Sequence, residues 1–437
     1  MKVSRDLSRR TFLKRVSLSA AGAVAAPFVI PSHIFSASPS EKIVMGCIGA
    51  GGQGMHNLRQ FLNMSNVQIV SVCDVDRTHR NTAKQTVDER YGNTACMAYN
   101  DFRRILDDAS IDAVTVCTPD HWHGLISIAA ARAGKDIYCE KPLTNTIAEG
   151  MALRDAVKQN KVILQTGSHE RSNDTVRFAS ELVRNGYIGD LQTILVHMPN
   201  NDPHHLKIIS DTQSHPPMDI PTGFDYDFWL GHTPEVPYTE ERTHFWWRFI
   251  LNYGGGEMTD RGAHIIDLGQ LANDTDDSGP VEFRGTGEAR ESDLFDTFMK
   301  YDFETTYANG VKLIGDSNPP RGLKLEGEGG WIFIHIHGGR LEAEPSSLLR
   351  VQIKPDEIHL ERSPGHHQNF IDSVITRKDP MATVEIGHRT ATICHLFNIA
   401  MHVNRPVTWD PVKEEITNDP EANRMISRPM RSPWTLV

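Results

Sequence analysis

Short apolar runs alternate with helical runs between residues 43 and 167, and this alternation is the strongest restriction on the fold. The apolar runs cover residues 43–48, 67–73, 94–98, 113–117, 136–140 and 162–166. The helical runs between them cover residues 52–62, 77–90, 102–107, 121–133 and 147–159. Strands that are apolar along their whole length and separated by helices form parallel sheets buried on both faces. With right-handed crossovers, the pattern predicts a doubly wound α/β sheet.

The sequence changes character after Gly167. A helix is expected over 175–185 and a strand over 191–198, followed by a polar loop over 199–221. Further apolar runs alternate as antiparallel strands do, at 295–301, 310–314, 323–327, 330–336 and 350–353. Two helical runs follow at 366–376 and 385–402. We therefore expect one domain over residues 39–168 and a second over residues 169–437.

A glycine-rich turn, Gly49-x-Gly51-x-x-Gly54, follows the first apolar run and opens the first helix. Such glycines allow a tight turn and let a pyrophosphate approach the helix N-terminus, where unpaired N–H groups favour anions. Asp74 ends the next strand run, where a carboxylate binds the ribose hydroxyls of a dinucleotide. Because Asp74 would repel a ribose 2′-phosphate, the sequence favours NAD over NADP.

Two further motifs supply groups suited to the oxidation of a hydroxyl. Lys141 follows a strand run, at the sheet edge where ligands bind, and its ammonium can stabilise a developing alkoxide. Asp260 and His264 are four residues apart, so on a helix they share a face. Histidine can take the hydroxyl proton as hydride leaves, because its pKa lies near neutral pH. The carboxylate can bind a second hydroxyl or support the imidazolium.

These motifs occur together in one order along the chain: the glycine turn, then residues 118–123 (Thr-Pro-Asp-His-Trp-His), then 140–142 (Glu-Lys-Pro), then Asp260-x-x-x-His264. In this the chain resembles the glucose–fructose oxidoreductase / inositol dehydrogenase family (Gfo/Idh/MocA), from about residue 43 to residue 402. The resemblance implies an N-terminal Rossmann domain and a C-terminal α+β domain with a large, mostly antiparallel open sheet. It also implies a tightly bound nicotinamide cofactor, dehydrogenation of a sugar or cyclitol hydroxyl, and a homodimer or homotetramer.

The resemblance also carries roles for individual positions. The residues that match the catalytic set of the family are Lys141, Asp260 and His264. With the glycine turn and its flanking positions, the expected cofactor-binding residues are Gly49, Gly51, Gly52, Gln53, Gly54, Asp74, Thr118, Pro119, Trp122, His123, Glu140, Lys141 and His169.

Aromatic residues are concentrated between residues 229 and 253. An aromatic face can stack on the apolar face of a pyranose, and arginine can donate hydrogen bonds to hydroxyls. Core packing is an equally good interpretation for Trp247. The expected substrate contacts, besides the three catalytic residues Lys141, Asp260 and His264, are Arg171, Trp247, Arg248 and Tyr253.

No metal site is expected from the spacing of potential ligands. The loop histidines His204, His205 and His215 lack a regular ligand pattern. No pair of the six cysteines has metal-site spacing, and we expect all six to be buried thiols.

Residues 1–38 have the layout of an export signal, with Arg9-Arg10 before an apolar run over 16–30. The paired arginines are typical of the twin-arginine route, which exports folded proteins and makes the translocase a partner. A periplasmic protein of this kind would carry its cofactor out already bound. The chain has 56 acidic against 45 basic residues, and six of the basic ones lie in this signal. Such an acidic balance argues against nucleic acid as a partner.

The sequence therefore predicts an exported NAD-dependent oxidoreductase that acts on CH–OH groups of a saccharide or glycoside. By resemblance to exported members with the tail found at residues 428–434, the hydroxyl oxidised is the one at C3. One alternative is an NAD-dependent glycosidase of the alpha-N-acetylgalactosaminidase type, whose Tyr-Pro-Thr-His type motif is not found at residues 258–264. A second alternative is a non-catalytic protein that binds NAD and a sugar.

Overall fold

The computed structural model describes residues 42–211, 214–289, 292–337 and 339–436. The predicted signal over residues 1–38 lies outside these ranges. Within them, no helix is both long enough and apolar enough to cross a membrane.

The first sheet has six strands, all parallel, in the order β3-β2-β1-β4-β5-β6. The strands are β1 (Ile43–Ile48), β2 (Val67–Cys73), β3 (Met97–Tyr99), β4 (Ala113–Val116), β5 (Asp136–Cys139) and β6 (Leu164–Thr166). The helices that connect them are α1 (Gly52–Leu62), α2 (Arg77–Tyr91), α3 (Arg103–Leu106), α4 (Asp120–Arg132) and α5 (Ile147–Asn160). The predicted doubly wound Rossmann sheet is confirmed.

Both faces of this sheet are covered, which explains why its strands are apolar throughout. Val44 and Met45 are neighbours on β1 and point to opposite faces, so they belong to different apolar clusters. One cluster draws side chains from α3, α4 and α5, and the other from α1 and α2. Helix α11 (His366–Thr376), from the second half of the chain, adds Phe370 to the second cluster.

The second sheet has nine strands in the order β13-β12-β11-β7-β10-β9-β8-β14-β15, and only β7 and β10 pair in parallel. The strands are β7 (Leu191–His197), β8 (Glu282–Ala289), β9 (Phe298–Thr306), β10 (Lys312–Asp316), β11 (Gly322–Gly327), β12 (Gly330–His335), β13 (Leu341–Glu344), β14 (Val407–Asp410) and β15 (Glu415–Ile416). The expected open, mostly antiparallel sheet of an α+β domain is confirmed.

Helices pack on one face of this sheet and bring the chain back to the first domain. The remaining α-helices are α6 (Asp174–Arg184), α7 (Pro203–Ser210), α8 (Tyr226–Leu230), α9 (Glu257–Asp260), α10 (Gly262–Ala272), α12 (Val384–Val403) and α13 (Pro420–Arg424). Side chains of α6, α10 and α12 share one apolar core with the sheet. Helix α12 also packs against α5 and β6 of the first domain.

Two local predictions are wrong, and strand β8 was not predicted. Residues 350–353 form no strand, because a 3₁₀ turn over Ser346–Arg350 ends the sheet there. The predicted loop over 199–221 contains helix α7, which starts at Pro203, a position where proline favours a helix start. Strand β8 was not identified from the sequence, because apolar residues do not alternate along it; a Cβ on its Gly287 would lie 2.3 Å from the Phe298 ring.

The six cysteines are free thiols, and the two tail arginines, Arg428 and Arg431, bind groups of the same chain. The thiols are free, as predicted, but only five of the six are buried, since Cys117 is partly exposed. Arg428 donates to the Leu251 carbonyl oxygen, and Arg431 binds the Asp227 carboxylate at 2.7 Å. The tail therefore folds back onto its own chain.

A buried carboxylate, Glu414, joins the β14–β15 hairpin to both domains. It accepts two hydrogen bonds from Arg154 of α5, at 2.9 and 2.8 Å, and one from His388 of α12, at 2.6 Å. Burial alone would raise the pKa of Glu414, but His388 and Arg154 outweigh it and lower the pKa to about 2.

Because of this depressed pKa, the free energy of unfolding should fall as the pH falls. The contribution of ionised Glu414 is present above its ordinary pKa of 4.5 and is lost as the pH falls toward 2. We expect Glu414→Gln to lower the free energy of unfolding at neutral pH by about 2–4 kcal/mol and to flatten its fall between pH 4.5 and 2. Urea unfolding across this pH range measures both effects. Glu282→Gln, in an exposed pair with Arg284, is the control and should change little.

Candidate functional site

The carboxyl edge of the first sheet opens into a cavity of about 1310 Å³ that the second domain closes from the other side. Its walls include all the predicted cofactor-binding residues except Gly54, and all three predicted catalytic residues. The sequence therefore identified side chains that the fold does bring together around one space.

The glycine turn is shaped to admit a ligand. Gly49 has a φ of +85°, and a Cβ there would lie 2.5 Å from the Cys117 carbonyl oxygen. A Cβ on Gly54 would lie 2.1 Å from the Gly49 carbonyl oxygen, so Gly54 serves the packing of α1 under the turn and does not face the cavity. A Cβ on Gly51 or Gly52 would meet nothing within 4 Å. The open space above these two residues fits a pyrophosphate at the N-terminus of α1.

Asp74 lies beside this turn, at the end of β2, with its carboxylate fixed. One oxygen accepts from the Ala50 N–H at 2.7 Å, and the other accepts from the Asp76 N–H at 2.8 Å. The carboxylate has a further lone pair on each oxygen, and it lines the cavity. It is therefore positioned to accept the ribose hydroxyls of a dinucleotide.

The loops after β4 and β5 are held together by buried polar contacts. The His123 ring lies between the carbonyl oxygens of Pro142, at 2.7 Å, and Thr118, at 2.9 Å. Glu140 accepts hydrogen bonds from Asn57 at 2.7 Å and from Gln53 at 3.2 Å. These contacts fix the backbone on either side of Lys141.

Lys141 and Asp260 form an ion pair across the two domains. The Lys141 Nζ lies 2.5 Å from Oδ1 of Asp260 and donates to the Asp260 carbonyl oxygen at 3.0 Å. The Arg248 Nε lies 3.6 Å from the same carboxylate oxygen. Burial alone would raise the pKa of Asp260, but Lys141 and Arg248 outweigh it, and the pKa lies far below its usual range. Asp260 is therefore ionised.

His264 lies close by but makes no pair with Asp260. Asp260 ends α9 and His264 lies in α10, with Arg261 at the junction in helical geometry, so the expected shared face spans two short helices. The His264 Nδ1 is buried and has no hydrogen-bond partner among the described residues. Burial, with Lys141, holds the pKa of His264 well below its usual range. The ring is therefore neutral at neutral pH and able to accept a proton.

Three cavity residues were missed by the sequence prediction. Asp120 belongs to the 118–123 motif and is buried beside Lys141; burial, with Asp260, raises its pKa well above the usual range despite Lys141. His337 lies next to His264 and binds Glu170, which precedes it by 167 positions in the chain; both line the cavity. The motif could have pointed to Asp120, whereas only the folded sheet brings His337 to the cavity.

Two predicted substrate contacts do not lie on the cavity wall. Arg171 is 2 % exposed and forms ion pairs with Asp267 and Asp276, both at 2.7 Å. Tyr253 is 1 % exposed, and its ring packs against Trp229 at 4.8 Å. Both predictions relied on residue type, and burial places these side chains behind the cavity wall.

The other two predicted substrate contacts, Trp247 and Arg248, do line the cavity. The Arg248 guanidinium lies 4.5 Å from the Trp247 ring centroid and 5.0 Å from that of Phe245. The result is a wall that combines aromatic faces with hydrogen-bond donors.

Because Arg171 forms buried ion pairs, we expect it to stabilise the fold. Arg171→Met leaves the Asp267 carboxylate buried without its partner, so the free energy of unfolding should fall by about 3–5 kcal/mol. Arg284→Met breaks an exposed pair and should cost less than about 1 kcal/mol. Urea unfolding measures both variants. An Arg171→Met protein of normal stability with a raised KM would instead return Arg171 to the substrate site.

Comparisons with known proteins agree with this arrangement. Residues 43–168 match a family model described as oxidoreductase family, NAD-binding Rossmann fold, and residues 172–436 match one described as oxidoreductase family, C-terminal alpha/beta domain. A levoglucosan dehydrogenase of Pseudarthrobacter phenanthrenivorans is 42% identical over 90 residues, 21% of this chain and 23% of that protein. A myo-inositol 2-dehydrogenase of Thermotoga maritima is 30% identical over 177 residues, 40% of this chain and 47% of that protein. The chain thus matches less than half the length of these two relatives.

A solved structure of levoglucosan dehydrogenase in complex with NADH is similar in fold. It superposes with a TM-score of 0.59 at 19% identity, over 84% of this chain and 99% of that one. At this identity, the likeness concerns the fold of the two domains.

Proposed function

The chain belongs to the Gfo/Idh/MocA oxidoreductase family, and we propose that it oxidises a ring hydroxyl of a sugar or glycoside with a tightly held NAD. One observation carries the proposal: the Lys141–Asp260 ion pair and the neutral ring of His264 line the same cavity as the glycine turn. Relatives named levoglucosan dehydrogenase and myo-inositol 2-dehydrogenase support a cyclic polyol as the substrate class.

The cofactor half of the cavity fits NAD. The open space at Gly51 and Gly52 would take the pyrophosphate, and the Asp74 carboxylate would take the ribose hydroxyls. A 2′-phosphate would meet the charge of Asp74, which supports NAD over NADP. When bound, NAD supplies the hydride acceptor.

The protein's own groups would manage the proton and the charge. The ammonium of Lys141, oriented by Asp260, would donate a hydrogen bond to the reacting hydroxyl oxygen and stabilise negative charge there. His264, neutral because it is buried near cations, would take the hydroxyl proton. Trp247 would stack against the sugar ring, with Arg248 donating to its hydroxyls.

A segment of the second domain supports the tight hold on the cofactor. Residues 223–229, which we call the strap, run along the loop after β2. The Arg77 N–H donates to the Gly223 carbonyl oxygen at 3.0 Å, and the Asp225 N–H donates to the Val75 carbonyl oxygen at 3.1 Å. The strap is therefore fastened by backbone hydrogen bonds to the edge where the adenosine half of NAD would lie.

Side chains of the strap and its neighbours complete this cover. Phe224, Phe228 and Trp229 line the cavity, and so do His244 and Phe245. Release of a bound dinucleotide would require these contacts to open, so slow release is expected.

The proposals for the oxidised carbon and for the location of the protein rest on the sequence. The tail at residues 428–434 resembles that of exported members and supports oxidation at C3. The twin arginines at Arg9-Arg10 support export of the folded, cofactor-loaded protein to the periplasm through the twin-arginine translocase. Assembly as a homodimer or homotetramer belongs to the same proposal.

Removal of the Lys141 ammonium should abolish turnover without loss of cofactor. We expect Lys141→Ala to slow reduction of the bound dinucleotide by a glycoside at least about 100-fold, because the alkoxide loses its stabilising charge. Stopped-flow absorbance of the reduced nicotinamide measures the rate, and mass analysis of denatured protein measures the bound cofactor. Lys158→Ala, at an exposed lysine paired with Glu385, is the control. Activity of Lys141→Ala within a few-fold of the wild type would contradict the assigned role.

Loosening the strap should speed cofactor release. Asp225 accepts a hydrogen bond from the Asn100 amide at 2.7 Å and caps α8 through the Phe228 N–H at 3.1 Å. Since these contacts are worth about 1–3 kcal/mol together, Asp225→Ala should release NAD about tenfold faster or more. Dialysis followed by cofactor assay measures the rate, with the exposed Asp219→Ala as the control. Equal release rates in the two variants would show that the strap does not retain the cofactor.

The reaction product distinguishes the glycosidase alternative from the proposed oxidoreductase. An oxidoreductase of the proposed kind leaves a keto-glycoside, whereas a glycosidase releases aglycone from a nitrophenyl glycoside without added oxidant. Release of nitrophenol over many turnovers under those conditions would replace the proposal with the glycosidase.

A further inference from the structure

A cluster of two histidines and a carboxylate lines the cavity beside His264. The Glu170 Oε1 lies 3.1 Å from Nδ1 of His337 and 3.5 Å from Nε2 of His169. One donor atom from each of the three residues lies within 4.8 Å of the other two. The His264 ring centroid is 4.9 Å from that of His169 and 5.4 Å from that of His337.

We propose that His169, Glu170 and His337 bind a divalent first-row transition metal ion, such as Zn²⁺ or Co²⁺, on the wall of the cavity next to His264. Two imidazoles and one carboxylate are the protein ligands of many catalytic zinc sites, which keep a further position open. Donor atoms that share an ion at its usual bond length lie about 3.0–3.4 Å apart. The two distances from Glu170 to the histidines, 3.1 and 3.5 Å, are close to this range. The proposal departs from the expectation of no metal site, which considered only the loop histidines and the cysteines.

The charge of the cluster also suits a cation. Glu170 is only 5 % exposed, and its carboxylate brings one formal negative charge between the two imidazoles. The nearby ammonium of Lys141 is balanced by Asp260 at 2.5 Å, so it opposes a bound cation only weakly.

His337 is brought to the cluster by the turn that joins β12 to β13. The residue has a φ of +63°, in the left-handed region, and its backbone N–H donates to Glu170 at 3.2 Å. The carboxylate thus fixes both the backbone and the ring of His337. His169 and His337 remain about half exposed, at 45 and 44 % of their side chains, on the cavity wall.

Two other groups of possible ligands fit a metal less well. In the group of Asp202, His204 and His205, the Asp202 carboxylate already binds the guanidinium groups of Arg261 and Arg321, which would repel a cation.

In the second group, Asp76, His79 and His244, the Asp76 carboxylate accepts the Thr78 N–H at 2.7 Å as the cap of α2. Its other oxygen is 3.9 Å from the His244 Nε2. One oxygen of Asp76 is thus bonded to the helix N-terminus. The distance from the other oxygen to His244 is longer than either distance from Glu170 to its two histidines.

The position of the ion would give it a part in the reaction. An open coordination site facing the cavity could bind a hydroxyl oxygen of the sugar next to His264. The bound ion would then orient the sugar for oxidation. This consequence rests on the proposed function, whereas the binding of the metal does not.

The test uses Co²⁺ alone as the probe. The mature protein is treated with a chelator, dialysed and titrated with Co²⁺, by calorimetry and by the visible absorption of the bound ion. We expect about one Co²⁺ per chain in the wild type. Glu170→Gln and His337→Ala should each weaken binding tenfold or more, since even loss of a partner of a metal ligand costs about 10–100-fold. His335→Ala, at the end of β12 and paired with exposed Glu342, should bind as the wild type does.

Two results would overturn the proposal. One is a wild type that takes up no Co²⁺, and the other is Co²⁺ binding that His337→Ala and Glu170→Gln leave unchanged. Loss of binding in His204→Ala instead would assign the ion to the other cluster and also overturn it. Reduction of the bound dinucleotide by a glycoside is assayed separately in chelator-treated protein, so failure of the metal site and failure of the redox function are distinguishable.

Discussion

The ion pair between Lys141 and Asp260 is the interaction on which the site depends. Lys141 follows the fifth strand of the first sheet, and Asp260 ends a short helix of the second domain. Each charge is largely shielded from water, so each requires the other; removing one partner of such a pair typically costs several kcal/mol. The pair therefore fixes the two domains against each other at the cavity and sets a positively charged donor where a hydroxyl can be bound.

The same pair sets the protonation of its neighbours. Asp260 stays ionised because of Lys141 and Arg248, and the Lys141 charge contributes to keeping His264 neutral. A positively charged hydrogen-bond donor and a proton acceptor thus lie side by side. Oxidation of a hydroxyl group needs both, because a hydride leaves the carbon while a proton leaves the oxygen. The strap over residues 223–229 lines the other end of the cavity, so one domain interface would both retain the cofactor and build the reactive centre that we propose.

Much of this could be predicted from the sequence, for physical reasons. The first sheet is buried on both faces, so its strands are mostly apolar, and five of its six strands are followed closely by a predicted site residue: Gly49, Asp74, Thr118, Lys141 and His169. The second sheet was harder to predict: β8 carries glycines at 285 and 287, and a Cβ on Gly287 would lie 2.3 Å from the Phe298 ring.

The errors arise where the outcome depends on long-range packing. Arg171 has the chemistry of a sugar ligand, but Asp267, 96 positions away, buries it in an ion pair. Glu170 and His337 carry no motif, and only the turn between two strands of the second sheet brings them together. Residue type and local spacing decide which groups can do chemistry, and burial decides which of them face the cavity.

The most direct measurement of the redox claim follows hydrogen from the sugar into the cofactor. The purified wild type is mixed without added acceptor with a glycoside deuterated at its ring carbons, then denatured, and the mass of the released dinucleotide is determined. Our account predicts NAD in the reduced form that carries one deuterium. A protein that releases no dinucleotide and cannot be loaded with NAD, or one whose dinucleotide stays oxidised and unlabelled with every glycoside of a broad panel, would contradict it.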